Sequence, residues 1–446
     1  MASISHMIAR EILDSRGVPT IEVDVRLDDG RFGRAAAPSG GSKGRREACE
    51  LRDADPARYS GRGVQLAVTN VIRIIAPALV ACPLDPLAID RRMIELDGTS
   101  DRSRLGANAM LAVSLAVTWA LAGRMEMYDF LGCAIPCGLP VPMFNVLNGG
   151  AHAGNDVDFQ EYMLAPVGAS NFAEALRMGV ETYDALRALL KRAGKTVAVG
   201  DEGGFAPDLE THAEAPDLLL SAVELAGLRP GADVVMAVDV AAGELYDDGT
   251  YVFRKSLRRR RTTDQMIRFY ETWLKRYPIW SIEDGLAERD VEGWRALTAT
   301  LGERVQLVGD DLFVTNPSLL RAGVAARLAN AVLVKLNQIG TVSETMETIA
   351  EAARARYGTV ISHRAGETAD DFIADLAVAT GAGQIKAGAP VRGERIAKYN
   401  RLLRIEETLG SKARYMGLDF AARGGFIAPG PSIVSRASDG AGRTPE

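Results

Sequence analysis

Four charged residues stand at intervals in the second half of the chain, each closing a short apolar run. Residues 234–238 end on Asp239, 279–282 on Glu283, 305–309 on Asp310 and 331–334 on Lys335. The spacings are 44, 27 and 25 residues. Successive strand-plus-helix units have such lengths. In a (β/α) barrel, residues at the C-terminal ends of strands point into one shared mouth. Three carboxylates there make a hard oxygen site suited to Mg²⁺. A lysine one strand further on is a base candidate beside that metal. A lone acid at a strand end is ordinarily a solvated terminus; four in series call for a shared site.

Other strings in the same half carry chemistry. His152-Ala-Gly-Asn155 is followed by Gln160 and Glu161, and Glu202 lies in an acidic turn flanked by Gly200, Gly203 and Gly204. His363 and Arg364 put an imidazole beside a guanidinium, and Lys386 closes another apolar segment. The chain has four histidines; His6 and His212, outside these strings, read as structural.

The elements that must position these residues follow from periodicity. Residues 3–37 alternate as strands do: Ile21, Val23, Val25 and Leu27 share one face, Glu22, Asp24 and Arg26 the other, with Asp29-Gly30 as a hairpin turn. Residues 39–44 hold three glycines and form a loop, read from composition as a plain turn. Helical patterns span 45–55, 64–80, 86–96 and 105–131, so the first part is α+β. Residues 139–142, Leu-Pro-Val-Pro, read as a linker. From 143 to about 409 strands alternate with helices. The fold class is therefore α/β. A small α+β domain (1–138) precedes a (β/α) barrel (139–422), and a Gly/Pro/Ser-rich tail (423–446) is expected to be poorly ordered.

Composition bounds the function. The chain has 446 residues, 47% of them hydrophobic, which is enough for two or three domains with a sizeable core. The net charge of −6 excludes nucleic acid as a partner by electrostatics. Cys49, Cys82, Cys133 and Cys137 lack zinc spacing, and no signal peptide is visible, so a reduced cytoplasmic setting is expected. The apolar stretch 105–123 carries Asn108, Ser114 and Thr118 and reads as a core helix, not a membrane span. Four arginines at 258–261 read as a solvated surface segment.

Taken together, these strings resemble the enolase family. The resemblance covers roughly residues 3–417 and includes Glu11-Ile-Leu-Asp-Ser-Arg-Gly17, His152-Ala-Gly-Asn155, Gly200-Asp-Glu-Gly-Gly204, Ser281-Ile-Glu-Asp284, Gly309-Asp-Asp-Leu312, Lys335-Leu-Asn-Gln-Ile-Gly340 and the segment from Lys398 to Glu406. It implies an enolase-like (β/α)8 barrel capped by the N-terminal domain, a homodimer and two Mg²⁺ ions. The family reaction interconverts 2-phosphoglycerate and phosphoenolpyruvate by loss of water. By resemblance, Asp239, Glu283 and Asp310 hold the tighter metal and Ser42 helps hold the second. Lys335 is the base, and Glu202, paired with Glu161, the acid. His152, His363, Arg364 and Lys386 contact substrate. The residue types suit that reaction. Removing a proton α to a carboxylate creates a dianion that Mg²⁺ stabilises, a base lysine must be neutral, and two adjacent glutamates favour keeping one proton.

The sequence leaves the family pattern mainly at one end of the site. The usual Ser-Gly-Ala-Ser-Thr-Gly loop has Gly41 for Ala and Lys43 for Thr. Ala365 replaces the serine after His-Arg that contacts the phosphate. Gly243, Gly285 and Ala387 stand where serine, proline and threonine are usual. Loss of a hydrogen bond to a charged group costs about 1.5–3 kcal/mol. The departures favour a specialised paralogue acting on the same phosphorylated three-carbon skeleton, such as a carboxyphosphonoenolpyruvate synthase, with Lys43 meeting a nucleotide-activated phosphonate. Ordinary phosphopyruvate hydratase is the alternative. A non-catalytic role would need neither Lys335 nor the full set of acids.

Overall fold

The computed structural model describes residues 2–419 except 42, 43, 81, 133–137 and 256–258. The expectations placed on Ser42, Lys43, Arg258, Cys133, Cys137 and residues 423–446 lie outside the described residues.

The chain opens with an antiparallel meander of β1 (Ile4–Leu13), β2 (Pro19–Leu27) and β3 (Phe32–Ala36). Alternation sets its faces: Ile21, Val23, Val25 and Leu27 are buried. On the opposite face Arg34 and Arg10 converge on Asp24, and their hydrogen bonds hold its carboxyl well below the usual range. Gly30, at φ +88°, makes the β2–β3 turn, as its Asp-Gly signal predicts.

The helix expected over 45–55 does not form. The backbone there is drawn out between neighbours: Ala48 N–H bonds Gln338 C=O, Cys49 bonds Asp101, and Leu51 bonds the Asn108 side chain. Tertiary partners override helix propensity. Residues 64–80 are helical as expected, but α1 (Gln65–Asn70) and α2 (Ala76–Leu79) are joined by a π-helical turn, Val71–Ile75. Pro77 has no N–H to offer, so the regular ladder breaks there. After α3 (Pro86–Asp97), the stretch expected as one helix over 105–131 is two, α4 (Ala107–Ala122) and α5 (Met127–Phe130), parted at Gly123. α4 is almost wholly buried against β2 and β3, a core helix as its polar residues indicated.

Residues 139–142 are barrel wall and not a linker. β4 (Gly138–Leu139) pairs with β17 (Arg414–Tyr415), and β5 (Val141–Pro142) with β16 (Gly383–Lys386). Through Met143, whose N–H bonds Ile385, β5 runs into β6 (Phe144–Asn148), which pairs with β7 (Glu161–Ala165). One bent stretch thus bonds both ends of the sheet and closes an eight-stranded barrel.

Strict alternation fails at its start. β7 is antiparallel to β6 and to β8 (Val235–Asp239), and α6 (Phe172–Arg192) and α7 (Glu214–Leu225) follow each other. After β8 come α8 (Ala242–Leu245) and an excursion of β9 (Tyr246–Asp247), β10 (Thr250–Phe253) and β11 (Arg259–Arg261). The rest is parallel: α9 (Thr263–Arg276), β12 (Ile279–Glu283), α10 (Val291–Leu301), β13 (Gln306–Gly309), α11 (Pro317–Ala326), β14 (Ala331–Val334), α12 (Val342–Arg354), β15 (Gly358–Ser362), α13 (Phe372–Thr380), β16 and α14 (Gly393–Leu409). Met163, Trp280, Val308, Leu333 and Val360 pack inside the barrel, so it is a filled core. Arg260 pairs with Asp247, and Arg261 lies over Phe253 and Phe269, which makes these two arginines surface structure. Among the described residues, no helix is long and apolar enough to cross a membrane.

Candidate active site

Three carboxylates meet because of strand register. Asp239 lies beside Glu283 across β8 and β12, and beside Glu161 across β7 and β8. Since β7 runs against its neighbours, its first residue sits where theirs end. Lys386, closing β16, reaches across the mouth to all three. Its Nζ lies 3.0 Å from Glu161, 3.1 Å from Asp239 and 3.0 Å from both Glu283 oxygens. None of the four side chains is more than 4% exposed.

Asp310, just past β13, does not join this group at Lys386. It accepts from Lys335 Nζ at 2.5 Å and Gln338 Nε2 at 2.8 Å. Its carboxylate instead clusters with Asp284 and Asp311, whose roles the sequence reading did not identify. Burial and the neighbouring acids push Asp284 well up, and push Asp311 up to about 7. Asp284 braces the turn by accepting the N–H groups of Asp310 and Asp311, each at 2.9 Å.

The donor set fits a hard divalent cation. It is all oxygen, sets three carboxyl groups against one ammonium, and already gathers a cation, the Lys386 Nζ. Gln160 also faces it, donating to Asp239 at 3.3 Å while its buried Oε1 has no hydrogen-bond partner among the described residues.

Around this floor, one cavity is lined by His152, Glu161, Glu202, Lys335, His363, Arg364 and Lys386, together with Gly41, Gln160, Ser362 and Ala365. Its free room, ≈10 Å³, holds about one water. Glu161 and Glu202 face each other with His152 Nδ1 3.4 Å from one and 3.6 Å from the other. Burial and the charge of Glu202 push Glu161 well up. Burial also opposes ionisation of Glu202, but His152 and His363 outweigh it and hold Glu202 well below the ordinary value. The two directions keep a proton within the pair and lean it toward Glu161. Asn145, on β6, donates to Glu202 at 2.8 Å. An asparagine inside an apolar strand was the available signal for it.

Lys335 keeps its proton here. Burial pushes it down, but the Asp310 carboxylate outweighs burial and the net shift is upward.

Arg364 is gripped by Glu47 at 3.0 and 3.2 Å and by Asn337 at 2.8 Å. Glu47 lies in the segment where a helix was expected, so its reach into the site was not legible. Two departures from the family pattern, 324 residues apart in the chain, meet here: a Cβ on Gly41 would lie 2.9 Å from the Ala365 Cβ. Ser39 and Gly366 exchange two backbone hydrogen bonds at 2.8 and 2.9 Å, which seats residues 39–41 on the barrel. Lys255 holds the His152 loop from outside, donating to Gly150 C=O at 2.7 Å and Ala153 C=O at 2.8 Å.

Comparison with known proteins agrees with this geometry. The description "Enolase, C-terminal TIM barrel domain" matches residues 136–423, and "Enolase, N-terminal domain" matches residues 4–131. The chain belongs to the enolase family. Enolase-type chemistry follows for it, and so does metal binding at an acidic site, which the buried acids of the mouth fit.

Proposed function

We propose that this enolase-family chain acts on a phosphorylated three-carbon acid of the 2-phosphoglycerate or phosphoenolpyruvate type, removing the proton α to its carboxylate. Asp239, Glu283 and Asp310 would hold Mg²⁺, with Ser42 and a second Mg²⁺ nearer the loop. Bound Mg²⁺ supplies positive charge against the dianion that proton loss creates. Lys335 takes the α-proton at Nζ. For that it must first be neutral, which requires that Asp310 no longer hold its charge alone. The proton held by the Glu161–Glu202 pair leaves with the departing hydroxyl as water. Arg364 and Lys386 offer fixed positive charge to the substrate's anionic ends. His152 and His363 border the leaving-group side.

The observation that carries the reading is the single cavity. Both glutamates, both lysines and Arg364 line it, and Asp239 and Glu283 lie at its floor, tied to Lys386.

A specialised member, such as a carboxyphosphonoenolpyruvate synthase, is favoured by the meeting of Gly41 and Ala365. The two departures are neighbours in space: with an alanine at 41 its Cβ would meet the Ala365 Cβ at 2.9 Å, so the loop could not seat this closely. The altered contact lies where the family binds phosphate, while the groups assigned to proton transfer are retained. Ordinary hydratase activity is the second reading, and that intact proton chemistry is what favours it.

The test is phosphoenolpyruvate formation by the purified protein with Mg²⁺ and 2-phosphoglycerate alone. The specialised reading expects slow turnover, raised by adding cytidylyl phosphonoformate, and a shift toward plain hydratase in the double variant Lys43→Thr, Ala365→Ser. Turnover of about 10–10³ s⁻¹ on 2-phosphoglycerate alone would overturn it in favour of ordinary enolase.

A further inference from the structure

Arg395, on the third residue of α14, is completely buried, and both of its terminal nitrogens donate to the walls of the site, while its Nε lies 3.3 Å from Glu394 Oε1. One Nη1 donates to His363 Nδ1 at 2.6 Å and to Arg364 C=O at 2.6 Å. The other nitrogen, Nη2, donates to Ala365 C=O at 2.6 Å and Asp201 C=O at 3.1 Å. The guanidinium therefore ties the His363–Ala365 strip to the turn that carries Glu202. Its path is kept open by Gly388, at φ +88°, where a Cβ would lie 2.8 Å from Arg395 Cδ and 2.9 Å from Glu202 C=O.

A guanidinium has donors and no acceptor. The His363 nitrogen that meets it must therefore be the bare one, and the ring proton must be on Nε2. That atom is buried, has no hydrogen-bond partner among the described residues, and lies 3.5 Å from Glu202 Oε2 on a ring that lines the cavity.

We propose that Arg395 is a positioning residue that locks His363 as the neutral Nε2–H tautomer, making it a fixed hydrogen-bond donor toward Glu202 and the bound substrate. His363 in this state is neither an imidazolium nor a proton acceptor at Nε2. The surroundings agree. Burial is the main effect depressing protonation of His363, to about 4, with the Arg395 charge adding to it against the opposing charges of Glu202 and Glu367. Glu367, on the same strip, is itself paired with Lys398 of α14 at 2.8 Å. Only the donation to substrate rests on the function proposed above; the tautomer does not.

The test reads the tautomer directly. In Mg²⁺-loaded protein carrying ¹⁵N-histidine, four ring systems are to be resolved, with His363 assigned through His363→Gln. His363 is expected to be protonated at Nε2 only and not to titrate between about pH 5.5 and 8. In Arg395→Met it should exchange between tautomers, and its protonation should move up from about 4 as the Arg395 charge is removed, with burial still opposing it. The variant's kcat should fall roughly 10- to 100-fold and gain that ionisation in its pH profile, and Arg395→Lys should restore part of both. A proton on Nδ1 of the wild-type His363 at pH 7 would overturn the proposal. So would an Arg395→Met protein with unchanged tautomer and pH profile. Should that variant not fold, the wild-type spectrum decides alone. Loss of activity on every substrate tried, with the Nε2–H tautomer intact, would count against the substrate reading and leave the lock standing.

Discussion

At the scale of single residues, the site is a matter of which charge each ammonium answers. Lys386 answers three buried acids, while Lys335 is in direct ion pair, among the described residues, with Asp310. The two lysines therefore differ in what their loss should do. Lys335→Ala should still fold, with some loss of stability from the unpaired Asp310, and abolish exchange of the substrate α-proton with solvent, read by isotope incorporation from deuterated water; exchange at the wild-type rate would place the base elsewhere. Lys386→Met should destabilise more, because it strands carboxylates with no partner. Removing one member of a buried ion pair costs about 3–5 kcal/mol. The loss should show in thermal unfolding without added metal and be smaller in excess Mg²⁺, since a ligand that binds only the native state stabilises it. Equal melting of variant and wild type in chelator would contradict this account of Lys386.

At the scale of elements, the loops are held by residues remote from the chemistry. The His152 loop hangs on Lys255, which follows β10, through two carbonyls. Lys255→Met removes both bonds and touches no residue lining the cavity. Amide exchange over residues 149–157 should quicken, and kcat should fall roughly 10-fold with little change in fold stability, as expected when a positioning contact is lost. An unchanged exchange rate there would mean that the loop is held by its own turns.

At the scale of the molecule, α3 of the N-terminal domain packs on α12 of the barrel. Asp90 of α3 accepts from Ser343 N–H at 2.9 Å, and burial pushes its carboxyl up to about 6. A carboxyl raised above its unfolded value favours the fold while protonated. That contribution is full below about pH 4 and is lost as pH rises through about 6. Asp90→Asn keeps an acceptor and removes the charge. The variant should therefore melt higher than wild type at pH 8, by an amount on the order of 2 kcal/mol, and the gap should close toward pH 4. A gap independent of pH would remove Asp90 as its cause. For assembly, a homodimer through the N-terminal domain is expected; Ile8, Leu13 and Tyr59 there are 42–55% exposed. Light scattering at micromolar concentration checks this, and a monomer would contradict it.

How much of this was written in the sequence depends on range. Barrel strands, their charged closing residues and the N-terminal meander were all legible. Each is a local pattern of period two or of spacing, and side-chain alternation leaves a strand only one buried face. The residue types around the mouth were legible too, because metal and proton chemistry restrict them. Partnerships were not. The helix expected over 45–55 is absent because its backbone bonds lie with residues 101, 108 and 338, and no local propensity carries that information. The same segment delivers Glu47 to Arg364. The linker at 139–142 became the closing stave of the barrel for a similar reason, since its partners lie near residue 385. Protonation is the furthest from the sequence. Whether Glu161 or Glu202 keeps the proton, whether Lys335 is charged and which nitrogen of His363 carries hydrogen depend on burial and on charges within a few ångströms. Only the closed barrel brings those together.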